Sequence, residues 1–112
     1  MDDLFSGFYE IGGVLVRYNY SRMVVDPERF ESDEDEEMGK KGMGAIYTRT
    51  SEGRALRMKP EGKERGELLK KFYRPYHQAM EREVETLSGR FERCLVLDCH
   101  SFSSVPLPFE PE

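Results

Sequence analysis

The sequence predicts an α/β fold in which a mixed, partly parallel sheet and its helices form a three-layer or partial sandwich. Three observations lead to this expectation: short segments rich in β-branched and aromatic residues, one long amphipathic helix, and an uninterrupted apolar segment directly after that helix. A helix that lies between strands is typical of a parallel sheet covered on both faces. The 112 residues have room for a single small domain, residues 1–112.

The first half of the chain is predicted to hold short strands joined by turns. Residues 1–13 favour a short helix or an irregular segment that ends in a glycine turn. Residues 14–18, 23–25 and 45–48 are rich in β-branched, aromatic and other apolar residues, and therefore favour strands. Asp26-Pro27 follows the second of these segments and is typical of a turn.

Residues 31–44 are predicted to form an exposed acidic and glycine-rich loop. Six of the seven residues from 31 to 37 carry a carboxylate, and like charges at this density repel one another and stay hydrated. The segment lacks the spaced oxygen ligands and the central glycine of a Ca²⁺ loop. We therefore interpret it as a solvated loop rather than a metal site.

Residues 64–89 carry the clearest helix signal. Apolar residues recur there at spacings of three and four and form one stripe, with mostly charged residues between them. Gly89 stands where helices commonly end. An interior proline loses a hydrogen bond and clashes with the preceding turn, so Pro75 either kinks this helix or restarts it as a first-turn residue. The stripe consists of Leu69, Phe72, Tyr73, Tyr76, Met80, Val84 and Leu87.

Residues 94–100 are predicted to form the core strand of the sheet. Residues 94–97 are a continuous apolar run after a long helix, which is the pattern of a strand buried on both faces. Cys94 and Cys99 are five apart, which places them on opposite faces of such a strand and disfavours a disulfide. We therefore expect a reducing compartment and a cytoplasmic location.

The composition argues against two classes of partner. Lys and Arg number 17 against 22 Asp and Glu, which gives a formal charge of −5. A nucleic-acid platform needs a basic face that displaces counterions from phosphates, so we expect no nucleic-acid partner. No apolar run approaches the roughly 20 residues that cross a bilayer, and no signal-peptide pattern opens the chain, so we expect no membrane partner.

The end of the predicted core strand carries the first candidate site. Ligands of open α/β sheets bind beyond the carboxyl ends of the strands, so we expect His100 and Ser101 to face a cleft. An imidazole there suits a metal ligand or a general base, and Asp98 shares its strand face and is placed to orient the ring. The alternative is a hydrogen-bonded histidine at a strand end with no part in catalysis.

Three arginines are candidates for binding a substrate carboxylate. Arg22 and Arg29 flank Asp26, and a guanidinium holds a carboxylate with two parallel hydrogen bonds. The alternative is that Asp26 caps the turn and pairs with one arginine. Arg49 precedes a turn and is either a ligand contact or plain surface. His77 lies beside the helix stripe, and we interpret it as packed on aromatic residues rather than facing a cleft.

Together these motifs resemble the N-formylglutamate amidohydrolase (N-formylglutamate deformylase) family. The similar segments follow the family's order along most of the chain: residues 21–30, 38–53, 68–80 and 95–110. The resemblance implies a hydrolase with a zinc carboxypeptidase-like α/β fold. It implies that Zn²⁺ takes part in cleaving N-formyl-L-glutamate to formate and L-glutamate, in histidine catabolism. The expected partner is then a small acidic N-acyl amino acid.

The resemblance also implies roles for individual residues. His100 is similar to the later of the family's metal-binding histidines. Asp2, with Asp3 as the second choice, is similar to an acidic residue that contributes to the metal site. The residues expected to support the site without binding metal or substrate are Asp98, Ser101 and His77.

Two features of the family have no counterpart in the sequence. A Pro-His-Ser-Gly-like motif that supplies the first metal histidine would precede Met1, and further strands would follow Glu112. We therefore expect a fragment with an incomplete sheet, whose exposed edges favour homo-oligomers. The alternatives are an inactive truncated remnant and a small non-catalytic binding module for acidic metabolites.

Overall fold

The structure is a computed structural model that describes residues 2–100, in which helices and turns make up the fold. The segment predicted for residues 1–13 is a short helix and a 3₁₀ helix that ends at Gly12. No helix in the described range is long and apolar enough to cross a bilayer. The elements are α1 (Asp2–Phe5), a 3₁₀ helix (Ser6–Ile11), a second 3₁₀ helix (Glu37–Lys41), α2 (Gly62–Leu68), a π-helical turn (Leu69–Tyr73) and α3 (Arg74–Arg90).

The predicted α/β sandwich is wrong, because residues 2–100 contain no sheet. The one β-type pairing in this range is an isolated antiparallel bridge between Arg49 and Ala55. Residues with high β-propensity are those whose side chains fit a pleated, half-buried surface. Such a surface forms only where a second strand pairs with the first. The sheet edges expected to join copies of the chain likewise have no counterpart here. The segments predicted as strands are residues 14–18, 23–25, 45–48 and 94–100.

The long helix predicted over residues 64–89 is present but is interrupted in the middle. Pro75 lies in the first turn of α3, as one of the two alternatives predicted. The turn before it is widened, since the Arg74 N–H donates to the Leu69 carbonyl five residues earlier. A proline here would otherwise clash with the carbonyl four residues before it. Gly89 lies inside α3, which ends one residue later than the glycine signal predicts.

The hydrophobic core lies where the π-helical turn meets two irregular segments. Leu69 and Tyr73 are 4% and 7% exposed, and they face residues from the segments around 25 and 45. The apolar stripe of α3 beyond this turn contributes no buried residue. The core consists of Val25, Ala45, Ile46, Leu69 and Tyr73, with Val24, Leu68 and Phe72 packed against it.

Ion pairs attach the acidic segment to the long helix and to the segment before it. Glu31 accepts from Arg74 at 2.7 Å, and Asp33 pairs with Lys59 at 3.0 Å and with Arg65 at 3.2 Å. The hydrogen bond from Arg74, opposed by burial, lowers the pKa of Glu31. These carboxylates are therefore held by partners rather than left fully hydrated as the sequence predicts.

Glu36 departs furthest from the predicted solvated loop, because it is only 7% exposed. Its carboxylate accepts from the backbone N–H groups of Phe30 and Met38, both at 3.0 Å. It thereby caps the 3₁₀ helix that follows. The run of carboxylates correctly indicates that most of these side chains lie near water. Glu36 is buried because two backbone N–H groups donate to its carboxylate.

Leu69→Ala is expected to lower the free energy of unfolding by about 2–3 kcal/mol, because it empties a site in a small core. Met58 is 92% exposed, so Met58→Ala is the matched control and should change stability by less than about 0.5 kcal/mol. Urea unfolding followed by circular dichroism measures both variants. Equal effects of the two substitutions would contradict the location of the core.

Candidate functional site

A cavity of about 920 Å³ opens between the apolar stripe of α3 and the irregular segments on either side of it. Its apolar wall includes Met80, Val84 and Leu87, which are half-buried. Polar and charged side chains occur in its lining as well. Those that the sequence predicts as site residues are Arg22, Arg29, His77, Asp98 and His100.

A fully buried carboxylate, that of Asp26, organises the polar part of the cavity lining. Its Oδ2 atom accepts from Arg22 Nε at 3.1 Å and from Arg22 Nη2 at 2.8 Å. The Tyr47 hydroxyl donates to the same oxygen at 2.6 Å. The other oxygen, Oδ1, accepts from the Glu28 N–H at 3.1 Å and closes the turn. Asp26 therefore both caps the turn and pairs with an arginine. This is the arrangement that the sequence offered as the alternative to a substrate-binding role.

Arg29 is the second guanidinium beside this carboxylate. Its Nε lies 3.7 Å from Asp26 Oδ2, and its side chain is 27% exposed. Nε itself is buried and has no hydrogen-bond partner within residues 2–100. Arg29 thus lies close enough to Asp26 for charge attraction, and its positive charge at the cavity lining is consistent with a role in binding an anion.

Burial and the charge of Asp26 set the ionisation of its neighbours. Burial raises the pKa of Tyr47, and the hydrogen bond to Asp26 raises it further. For Arg22, burial lowers the pKa, but the hydrogen bond and charge of Asp26 outweigh it, so the pKa rises. Burial, followed by the Asp26 charge, also raises the pKa of Tyr18, another residue of the cavity lining. At neutral pH both phenols therefore keep their protons and Arg22 is a cation.

The carboxylate of Glu28 lies between Arg22 and His100, the last described residue. Its Oε2 accepts from Arg22 Nη2 at 2.9 Å and lies 3.8 Å from His100 Nδ1. Burial and then the charges of Asp98 and Glu28 raise the pKa of Tyr76, so both carboxylates lie near this ring. The carboxylate of Glu28 therefore occupies the space between the guanidinium and the imidazole.

A hydrogen bond from His77 links α3 to the turn that contains Asp26 and Pro27. Its Nε2 lies 2.9 Å from the Pro27 carbonyl, and since a carbonyl only accepts, Nε2 carries the proton. The ring packs on Tyr73, with centroids 4.3 Å apart, and meets Tyr76 edge-on at 5.5 Å. His77 is thus packed on aromatic rings, as the sequence predicts, but it also lines the cavity, which the sequence interpretation did not expect. Its described hydrogen bond holds the turn that carries the arginines.

His100 has the contact predicted for it although its segment is not a strand. Its Nε2 lies 2.9 Å from Asp98 Oδ2. A carboxylate accepts, so Nε2 carries the proton in the neutral ring and the lone pair is on Nδ1. The side chains of His100 and Asp98 are 44% and 76% exposed. An oriented imidazole with one free nitrogen can accept a proton or bind a metal ion.

The other predicted site residues lie elsewhere. Arg49 donates to the Gly53 carbonyl at 3.0 Å within its own turn and does not line the cavity. Asp3 is exposed on α1. Asp2 begins α1, but its side chain falls outside the described part of the chain, and so does Ser101.

The described residues do not by themselves build a zinc site. In this part of the chain no group of three or more His, Cys, Asp or Glu side chains is arranged to hold a metal ion. Catalytic zinc takes three protein ligands, whereas the described carboxylate contacts of His100 are with Asp98 and Glu28.

The contacts around Asp26 form a charged cluster that consists of Arg22, Asp26, Glu28, Arg29 and Tyr47. Sequence reasoning missed two of its residues, Tyr47 and Glu28. Tyr47 is 21 positions from Asp26, and no local pattern relates them. Glu28 is two positions from Asp26, so the short spacing was a usable signal. Both are attached to Arg22, either through Asp26 or directly.

Comparison with known proteins places this chain in a family. The family model described as N-formylglutamate amidohydrolase matches residues 1–112. The chain belongs to the N-formylglutamate amidohydrolase family. It is 33% identical over 99 residues to an N-formylglutamate deformylase of Pseudomonas putida, which covers 85% of this chain and 36% of that protein. It is 32% identical over 106 residues to an N-formylglutamate deformylase of Pseudomonas aeruginosa, which covers 90% of this chain and 39% of that protein.

The match to the amidohydrolase family includes every described residue of the charged cluster. The chain spans less than two fifths of the length of both curated relatives. No solved structure matches it.

Asp26→Asn is expected to lower the free energy of unfolding by about 2–4 kcal/mol, because it leaves two guanidiniums without their buried counter-charge. Asp35 is exposed, and Asp35→Asn is the matched control, with an expected change below about 0.5 kcal/mol. Chemical unfolding monitored by tyrosine fluorescence measures both. A loss for Asp26→Asn no larger than for Asp35→Asn would show that this carboxylate does not organise the site.

Proposed function

We propose that this chain takes part in hydrolysis of N-formyl-L-glutamate to formate and L-glutamate. The observation that carries the proposal is the family match over residues 1–112, with two curated relatives of that name. The cavity supports it, since it holds guanidiniums suited to an acidic substrate and an imidazole suited to proton transfer. A role in histidine catabolism and a cytoplasmic location are further proposals from the resemblance.

Arg22 and Arg29 are proposed to bind a carboxylate of the substrate. Arg22 has a fixed position, because Asp26 holds two of its nitrogens. Arg29 Nε lies 3.7 Å from the same carboxylate oxygen, Asp26 Oδ2. Guanidiniums that are held in place lose little conformational freedom on binding, so the same contacts yield more affinity.

His100 is proposed to act at the formamide end of the substrate. Water adds to the formyl carbon, the C–N bond breaks, formate leaves, and the amino group of glutamate takes up a proton. Nδ1 of His100 is placed to accept the proton of the attacking water, because Asp98 holds Nε2 at 2.9 Å. This is the ordinary work of an oriented imidazole in general acid–base catalysis.

Zinc dependence is proposed from the family resemblance alone. Bound zinc would lower the pKa of a water molecule toward 7 and polarise the formyl carbonyl. His100 Nδ1 is the described atom that we propose as a ligand, and with zinc bound it would hold the metal ion instead of accepting the proton of the water. Asp2 is the acidic residue proposed beside it.

Formate release from N-formyl-L-glutamate tests the proposed activity. The assay uses the 112-residue chain and, in parallel, the Pseudomonas putida relative carrying this chain in place of the segment it matches. In the active protein Arg22→Ala should raise KM roughly 10- to 100-fold, the effect of losing a charge-assisted contact with substrate. Arg82, exposed on α3, provides the control Arg82→Ala, and Arg49→Ala should also leave KM near the unsubstituted value.

No formate from either protein would contradict the proposed activity. Glutamate binding that a chelator does not change, again without formate, would favour the non-catalytic binding module. A rise in KM for Arg49→Ala as large as for Arg22→Ala would show that the carboxylate binds outside this cavity.

The zinc proposal is tested by elemental analysis of the purified chain and of His100→Ala. Zinc should be retained by the unsubstituted chain and lost in His100→Ala, because catalytic zinc depends on each of its few protein ligands. His77→Ala is the control, since His77 is engaged with Pro27. Equal zinc in the chain and in His100→Ala, or none in either, would sink the proposal.

A further inference from the structure

Arg22 contacts two carboxylates, Asp26 and Glu28, which differ in burial and in the number of groups that hold them. Asp26 is fully buried and is held at the same time by Tyr47 and by a backbone N–H. Glu28 is 40% exposed, and its described contact with Arg22 is a single hydrogen bond at 2.9 Å. The partner of Arg22 that can leave for water is therefore Glu28.

The position of Glu28 matches that of a ligand carboxylate. The same oxygen, Oε2, is 2.9 Å from Arg22 Nη2 and 3.8 Å from His100 Nδ1. A carboxylate that binds Arg22 Nη2 from the cavity would take the place of this oxygen. A half-exposed ion pair contributes little to stability, about 0–1 kcal/mol, so an incoming carboxylate can compete with it.

We propose that Glu28 is an internal carboxylate ligand of Arg22 that a carboxylate-bearing ligand displaces on binding. The proposal deepens the proposed function and rests on it for the identity of the ligand, a small acidic N-acyl amino acid. Glu28 then lowers the affinity of the empty site, because each binding event must first break its contact with Arg22. It also keeps Arg22 paired when no ligand is present.

The test measures binding of N-formyl-L-glutamate to the 112-residue chain by isothermal titration calorimetry. Glu28→Gln should bind the ligand roughly two- to fivefold more tightly, the equivalent of the weak pair that is removed. Glu31→Gln is the matched control, because Glu31 and Arg74 form a pair of 2.7 Å with exposures of 40% and 47%, close to the 40% and 49% of Glu28 and Arg22. Its affinity should equal that of the unsubstituted chain.

Glu28→Asp separates displacement from a general effect of charge. The substitution keeps the negative charge but shortens the side chain, so that it withdraws from Arg22. Tighter binding by Glu28→Asp than by the unsubstituted chain supports displacement. Unchanged binding by Glu28→Asp, or binding by Glu28→Gln that is unchanged or weaker, overturns the proposal, as does the absence of binding in all variants. Circular dichroism confirms that each variant is folded.

The outcomes for the proposal and for the activity are distinguishable. Formate release with no gain in affinity for Glu28→Gln would leave the activity standing and reject displacement. A gain in affinity for both Glu28 variants without formate release would support displacement and reject the activity.

Discussion

The buried charge of Asp26 is the constraint on which the arrangement of the described residues depends. An isolated carboxylate without exposure to water would cost several kcal/mol, and it is retained only where cations and donors surround it. Here Arg22, Tyr47 and the Glu28 N–H supply hydrogen bonds, and Arg29 adds a second positive charge at 3.7 Å. One carboxylate therefore orients Arg22 and Tyr47 directly and attracts the charge of Arg29.

The same short turn is attached to the rest of the fold through its backbone. The Asp26 N–H donates to the Ala45 carbonyl at 2.7 Å, the Pro27 carbonyl accepts from His77, and the Arg29 carbonyl accepts from the Tyr73 hydroxyl at 2.8 Å. Of the last two donors, His77 lies in α3 and Tyr73 is the last residue of the π-helical turn before it. The turn thus bridges the helix and the segment around residue 45, and this bridge presents the arginines to the cavity.

Sequence reasoning succeeded where the deciding interaction was local. The features that it predicted depend on residues only a few positions apart, and spacing encodes such contacts. They are the helix, its restart at Pro75, the Arg22–Asp26 pair and the Asp98–His100 contact. It failed where the partner was distant. Tyr47 reaches Asp26 across 21 positions, and Asp33 is fixed by Arg65 from α2. The sheet failed for the same reason, because β-rich composition states a preference for pairing but does not supply a partner.

Charge balance decides how such a cluster accepts an anion. Two guanidiniums, Arg22 and Arg29, lie beside two carboxylates, Asp26 and Glu28, so the four groups together carry no net charge. Adding a carboxylate to this set would leave one negative charge in excess in a partly desolvated space, where like charges repel strongly. Releasing the exposed carboxylate of Glu28 into water as the ligand arrives restores the balance. The buried Asp26 cannot be released in this way, because its partners hold both of its oxygens. Exchange of one carboxylate for another is therefore the mode of binding that this cluster favours, and burial determines which of the two is exchanged.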